Sequence, residues 1–387
     1  MKNHTVLVTT AILCLLSASA TAELQWTQVV DSAPWAKRTS QGVVSFRDEI
    51  WLMGGAFSSA YNDLWHSSNG ADWTAVTNPP WAARQEFGCA VFNGRIYVVS
   101  GYCGAPGTPR DIWYTANGTD WVLVDSTASW DGRSGHGLVV FNNRLHIVGG
   151  YTGQGALLNE IWHSEDGEAW TQVLPALPWS PRHRHVTAVY NDRLWVIGGY
   201  DGIGALGDVW SCDTAYNWVQ HTDSAPWPPR WRAGAAVFQN SLWLVGGYGT
   251  DFLDDVWQTT GGGQWVQLAD SSPWLARDGH SLVVHDNQLW LIAGRWQNDV
   301  WSTSGAGVEE EPGVPSRVTS RTTIVRDVLY LPSGSRCPEP GSVLLDAAGR
   351  RVMDLQSGGN DVRHLCPGVY FVASSPQRPV QKVVIAR

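Results

Sequence analysis

The stretch Arg133–Tyr151 reads RSGHGLVVFNNRLHIVGGY and is followed by NEIW, ending at Trp162, and by Trp170, which opens WTQV. Two short apolar runs, GLVVF and RLHIV, flank Asn142-Asn143, a dipeptide that accepts positive φ at little cost, so the pair reads as a tight hairpin. The runs are too short for helices and carry no 3.6-residue period. The following NEIW and WTQV segments supply two further strands. One unit is therefore a four-stranded antiparallel sheet, with strands a (GLVVF), b (RLHIVGG), c (the D/E-x-W end) and d (W-x-x-V).

The unit recurs. Trp26, Trp73, Trp121, Trp170, Trp218 and Trp265 stand 47, 48, 49, 48 and 47 residues apart and open the d segments. The strand c marker ends at Trp65, Trp113, Trp162, Trp210, Trp257 and Trp301, and the glycine landmark falls at Gly54–Gly55, Gly101, Gly149–Gly150, Gly198–Gly199, Gly246–Gly247 and Gly294. A period of this size marks a repeat architecture, and a radial array of four-stranded sheets is a β-propeller. The sixth unit has strands a, b and c but no d, whereas Trp26–Val30 is a d strand with nothing before it. The N-terminal strand is thus expected to complete the last blade and remove an open sheet edge.

The combined pattern R-S-G-H-x-x-x-V-F-x-x-x-L-x-I-V-G-G-Y, D-x-W, W resembles the kelch repeat over residues 26–303, which implies a six-bladed kelch-type propeller. Ser100 and Ala293 depart from it at the first glycine of the pair, and Ser129 interrupts a recurring Pro-Trp dipeptide.

A formal net charge of −9 argues against nucleic acid, which requires concentrated basic surface. At the N-terminus, Lys2, the apolar run Val6–Leu16 and Ala20-Thr21-Ala22 read as a signal peptide over residues 1–22. No other stretch is long and apolar enough to span a membrane. Export permits disulfides, and proximity alone pairs Cys89 with Cys103 and Cys337 with Cys366, leaving Cys212. No Cys/His cluster has metal-site spacing, so neither a metal nor a cofactor is expected. After Trp301 the chain turns Gly-, Pro- and Glu-rich, giving a propeller at 23–304, a linker at 305–316 and a small Ig-like β-sandwich at 317–387. In the last, GRRV, Asn360, LCPGVYFV and KVV resemble the C-terminal sorting domain of type IX secretion cargo, which implies the secretion machinery as a partner and a secreted or outer-surface location.

Function must be sought on the propeller's faces. Because strands alternate in direction, the d–a and b–c loops share one face. The d–a loops PWAKR, PWAAR, SWDGR, PWSPR, PWPPR and PWLAR put Arg38, Arg84, Arg133, Arg182, Arg230 and Arg277 each three residues after a tryptophan, with His136, His183, Arg184, His185, Arg232 and His280 nearby. The b–c loops add Phe57, Tyr102, Tyr151, Tyr200, Tyr248 and Trp296. One reading makes these residues a funnel for a glycan or protein ligand, an acidic one included, since guanidinium forks match carboxylates. The other makes the arginines structural, packed on the preceding tryptophan or paired with Asp31, Asp125, Asp223 or Asp270.

Kelch-like propellers also include enzymes. Resemblance to galactose oxidase would demand a Tyr/Tyr/His/His copper site whose motif context is absent. Resemblance to a six-bladed sialic-acid mutarotase would need an acid/base near an arginine, for which Glu86 and Glu160 are the candidates. HSSNGADW and its copies resemble Asp-box hairpins, but their glycine comes one residue early and reads as a c–d hairpin turn. The sequence thus points to an exported binding protein with no assigned catalytic residue, the mutarotase-type carbohydrate enzyme being the alternative.

Overall fold

A computed structural model describes residues 25–304 apart from 105–106 and 175–176 and, beyond them, residues 323–325, 328–331, 343–345, 351–355, 358–362, 365, 368–373 and 381–385. The expected signal segment, the linker, Cys337 and Cys366 lie outside the described residues. The chain divides into two compact units after Val308.

The first unit is a ring of six antiparallel blades. The first blade runs Gly42–Phe46, Glu49–Met53, Leu64–Ser67, Thr74–Val76 from strand a to strand d. The third runs Gly137–Phe141, Arg144–Thr152, Leu157–Ser164, Thr171–Leu174, with Arg133–Ser134 as an added short strand. In the sixth, Ser281–His285, Gln288–Gly294 and Gln297–Ser304 are completed by Trp26–Val30, with Trp26 opposite Thr303 and Gln28 opposite Trp301. The N-terminal strand therefore closes the ring.

Each spaced tryptophan of strand d meets the tryptophan of its own blade's d–a loop nearly edge-on. The pairs are Trp35–Trp73, Trp81–Trp121, Trp130–Trp170, Trp179–Trp218, Trp227–Trp265 and, across the closure, Trp274–Trp26, with centroids 4.6–6.2 Å apart. Edge-to-face geometry sets the positive ring edge against the negative face. The six evenly spaced markers are thus packing elements, and the sixth pair exists only because the first strand joins the last blade.

Neighbouring blades interlock through the third residue of strand b. Trp290, Trp51, Tyr97 and Trp195 each lie against the c–d turn glycine of the next blade, where a Cβ on Gly70, Gly118, Gly167 or Gly262 would come within 1.8–2.5 Å of the ring. Between the third and fourth blades both partners change. His146 stands in strand b, and the turn carries Tyr216 at φ 61° instead of glycine. The smaller imidazole leaves room that the phenol fills. Tyr216 Oη lies 2.8 Å from His146 Nε2 and 2.9 Å from His163 Nδ1. His146 Nδ1 faces the Arg144 carbonyl at 3.1 Å, so it donates there, Nε2 accepts from the phenol, and the phenol oxygen accepts from His163.

The two departures in the glycine landmark have a conformational reason. The first position of the pair holds φ between 52 and 57° in every blade, a left-handed value that Ser100 and Ala293 tolerate. The second holds 89–114°, open only to glycine, and it is glycine in all six.

Cys89, Cys103 and Cys212 are free thiols, so the expected Cys89–Cys103 disulfide is absent. Cys89 lies in strand a, its sulfur over Gly42 of the preceding blade, whereas Cys103 sits in a b–c loop. Burial pushes the Cys89 thiol up to about 12. Among the described residues no helix is long and apolar enough to cross a membrane.

The second unit holds a five-stranded sheet in which Val343–Leu345 pairs with Arg351–Asp354 and Gly368–Ala373, and Gln381–Ile385 lies between Gly368–Ala373 and Thr323–Val325. Val328–Leu331 and Gly358–Asp361 form a separate two-stranded ribbon.

Candidate functional site

The d–a and b–c loops meet on one face, and the arginine series joins them. Each arginine is essentially fully buried, at 0–1% exposure. Its Nε donates to the carbonyl two residues back and its Nη1 to the first residue of the glycine pair, always 16 residues on. The fork then grips the acidic residue of the strand c marker. Arg38, Arg84, Arg182, Arg230 and Arg277 are bidentate to Asp63, Asp111, Asp208, Asp255 and Asp299 at 2.6–2.8 Å, and Arg133 reaches Glu160 at 2.7 Å. The same carboxylate accepts the indole N–H of its own D-x-W tryptophan, as Asp255 does from Trp257 at 2.8 Å.

The backbone of each arginine belongs to the blade before. Arg84 N–H donates to Tyr61 and its carbonyl accepts from Gly55, both in the first blade, while its side chain holds Ser100 and Asp111 in the second. Each arginine is thus a rivet between adjacent blades. This corrects two expectations. The partners are the strand c acids rather than Asp31, Asp125, Asp223 or Asp270, and the guanidiniums sit behind the loop face instead of ringing an open mouth. The packing on the preceding tryptophan is present, with Arg38, Arg84, Arg133 and Arg182 5.4–5.8 Å from its ring centroid.

The mouth of the channel is built by the residue two places after each arginine: Ser40, Glu86, Gly135, Arg184, Arg232 and Gly279. All six adopt φ between 53 and 60°. Each N–H donates to the carbonyl of its counterpart in the preceding blade, at 2.6–3.1 Å, and Ser40 donates to Gly279, so six backbone bonds close a circle. Left-handed backbone costs a non-glycine residue roughly 1 kcal/mol, which the closed ring offsets.

Three of these side chains meet across the channel. Glu86 of the second blade accepts from Arg184 Nε of the fourth at 2.7 Å and from Arg232 of the fifth, and Arg232 also reaches Asp278 of the sixth at 3.2 Å. Burial pushes the Glu86 carboxyl up, but Arg232 and Arg184 together pull it below its ordinary value. Around the cluster lies a cavity of about 150 Å³ lined by the mouth residues and by His136, His185 and His280. Phe87, His136 and His280 wedge against Gly42, Gly88 and Gly234 of the preceding blades. Burial first, and then the Arg133 and Arg277 charges, lower His136 and His280 to about 3. Burial, then the Arg184 charge, lowers His183 to about 4.

Neither proposed acid/base residue is disengaged. Glu86 is held by two guanidiniums, and Glu160 by Arg133, Trp162 and Gln172. Among the described residues no His/Cys/Asp/Glu group could hold a metal ion.

Tyr102, Tyr151, Tyr200 and Tyr248 occupy one register position, each backbone-paired to the residue after the blade's arginine: Gln85, Ser134, His183 and Trp231. In the first and sixth blades Ala56 and Arg295 take that place, and Phe57 and Trp296 follow one residue later. The rings divide into two groups. Tyr151, His183, Tyr200, Trp231, Tyr248 and Phe252 form an unbroken chain of contacts at 5.0–5.9 Å, with both Arg184 and Arg232 4.9 Å from the Trp231 centroid. On the other side Phe57, Trp296 and Tyr102 are 54, 48 and 43% exposed. They flank a groove of about 550 Å³ whose lining includes Ser58, Ser59, Gln85 and Cys103. The sequence marks the mouth residues only by their offset from the arginine, and no single residue type is common to all six.

A family model described as the KLHDC2/KLHL20/DRC7 Kelch-repeats domain matches residues 86–294, more than half of the chain. A search of curated proteins finds no match.

Proposed function

The chain belongs to the kelch-repeat family, whose propellers generally mediate protein binding, and from that premise we propose that it is a secreted or cell-surface binding protein. It engages a glycan or protein ligand with the face made by the d–a and b–c loops, and its residues 317–387 act as the sorting domain that directs export. One observation supports the binding face above all. The exposed aromatic residues Phe57, Tyr102, Tyr151 and Trp296, together with Ile203 and Leu275, all stand in d–a or b–c loops or at their edges, whereas the exposed valines and Leu123 are spread along strands. Apolar surface gathered in this way marks interaction sites, whereas singly scattered residues do not. The tyrosine series belongs to this face, with Tyr102 and Tyr151 its most open members. The buried arginine series serves as its frame.

The test is selection of binders from peptide and glycan libraries against the full chain, repeated with Tyr151→Ala plus Ile203→Ser on the loop face and with Val219→Ser on an outer strand. Loss of the selected interaction in the first variant alone supports the reading. Equal binding by both variants, or loss only in the second, overturns it. Retention of a chain lacking residues 317–387 inside the producing cell is the outcome expected for a sorting domain.

A further inference from the structure

We propose that the groove between Phe57, Tyr102 and Trp296 is a binding site for neutral carbohydrate, a proposal that rests on the loop-face reading above and names its ligand class. The distinction between the two groups of rings carries it. Across the third to fifth blades the aromatic residues lie against one another, with two guanidiniums beside Trp231. Around the groove, Tyr102 has no ring neighbour among the described residues, and Phe57 and Trp296 meet only at 6.2 Å, inclined by 68°. Their faces stay open to solvent at the sixth, first and second blades.

The polar lining is neutral. Ser58 and Ser59 hydroxyls and the Gln85 amide make no side-chain hydrogen bond among the described residues, and all three border the groove. The one charged lining residue, Arg232, gives both terminal nitrogens to Glu86 and Asp278, and its Nε is buried. An acidic ligand would have to break that network, leaving a carboxylate unpaired in a buried setting. A pyranose ring needs no charge. Its C–H face packs on an aromatic ring, and its hydroxyls exchange hydrogen bonds with hydroxyl and amide groups of the kind the groove offers. A volume of about 550 Å³ falls within the range of sites that enclose small ligands. The groove therefore disfavours the acidic glycans that an exposed arginine funnel would have selected.

The experiment measures intrinsic fluorescence and calorimetric titration of the full chain with neutral malto-, cello-, xylo- and manno-oligosaccharides, and with sialyllactose and oligogalacturonate as acidic probes. The expected result is saturable binding of at least one neutral oligosaccharide. Trp296→Ala or Gln85→Ala should weaken it at least about tenfold, and raising salt from about 50 to 500 mM should leave it nearly unchanged. Trp296 is exposed and Gln85 half-buried, and melting temperatures matching the parent chain verify that the variants fold. Binding confined to the acidic probes, no binding by any neutral probe, or equal binding in both variants overturns the proposal. If no sugar binds but a library peptide does, and Trp296→Ala abolishes it, the carbohydrate assignment fails while the loop-face reading stands.

Discussion

Replacing His146 with Trp, Tyr216 with Gly, and then both together measures whether the blade interlock is a matched pair. At the four glycine-bearing interfaces a Cβ on the turn residue would lie 1.8–2.5 Å from the strand b ring. An indole at position 146 would meet the Tyr216 Cβ at a comparable separation and push the turn outward. It would also remove the acceptor that now takes the phenol hydrogen at 2.8 Å. Overpacking and the lost bond together predict a destabilisation of about 3 kcal/mol for His146→Trp. Tyr216→Gly removes a half-buried ring and leaves His146 Nε2 without a donor, a loss of about 3 kcal/mol. Relief of the left-handed tyrosine backbone returns about 1 kcal/mol of it. The double variant recreates the Trp-on-Gly contact that Trp51, Trp195 and Trp290 make, so its stability should return to within about 1 kcal/mol of the parent, a coupling of roughly 4 kcal/mol. Urea unfolding of the full chain, followed by far-UV circular dichroism and tryptophan fluorescence, reads all four corners of the cycle. If the two single losses simply add in the double variant, the matched-pair account is refuted.

Three further outcomes follow from the same structure. His136 and His280 are lowered to about 3 and His146 and His183 to about 4, from an ordinary value of 6.5. Their contribution is complete above pH 6.5 and is lost as pH falls, because the unfolded chain then binds protons that the folded chain refuses. At pH 5 the loss reaches at most about 2 kcal/mol for each, so Tm should be level from about pH 7 to 8.5 and fall steadily between 6.5 and 5, and a level profile down to pH 5 would contradict the burial of these rings. Arg182→Met leaves Asp208 without its fork and should cost about 3–5 kcal/mol in urea unfolding; Arg182→Lys should recover little of it, since an ammonium cannot make the bidentate contact. Deleting residues 25–31 removes strand d of the sixth blade, including the Trp26 edge contact to Trp274 at 4.6 Å. With Val29 and Val30 also lost from that blade's packing, Tm should drop by roughly 10 °C or more, and an unchanged Tm would deny the strand its closing role.

The ring, its six blades and its closure were legible in the sequence because each landmark has one packing task repeated six times. Trp274 needs an edge-on partner as Trp35 does, and the only d strand left over is Trp26–Val30. The arginine pairing was hidden for a geometric reason. The backbone acceptor always lies 16 residues ahead, but the carboxylate lies 22 to 27 ahead, because the b–c loops differ in length. With that offset blurred, acids near the loop in sequence looked like equally good partners. The Cys89–Cys103 pairing failed because closeness in sequence ignores direction, one sulfur lying over Gly42 and the other thiol standing on the rim. The key between the third and fourth blades was visible only as an anomaly, a c–d turn without its glycine, and its meaning required knowing that His146 faces it.

The mouth of the channel separates what a repeat dictates from what it leaves open. At Ser40, Glu86, Gly135, Arg184, Arg232 and Gly279 the backbone is nearly identical, with the same left-handed φ and the same hydrogen bond to the preceding blade. None of that geometry depends on the side chain, since N–H and C=O make the circle. The six side chains are therefore free to differ, and they do, giving one carboxylate, two guanidiniums, one hydroxyl and two glycines around a single axis. The arginine three residues after each loop tryptophan, Arg133 after Trp130 included, is under the opposite constraint. It must bridge two blades through both backbone and side chain, so it is invariant within the chain and buried. Chemistry aimed at a ligand is for this reason better sought where the blades disagree: in the unequal mouth residues, and in the first and sixth blades where Phe57 and Trp296 slip one residue from the tyrosine register and open the groove.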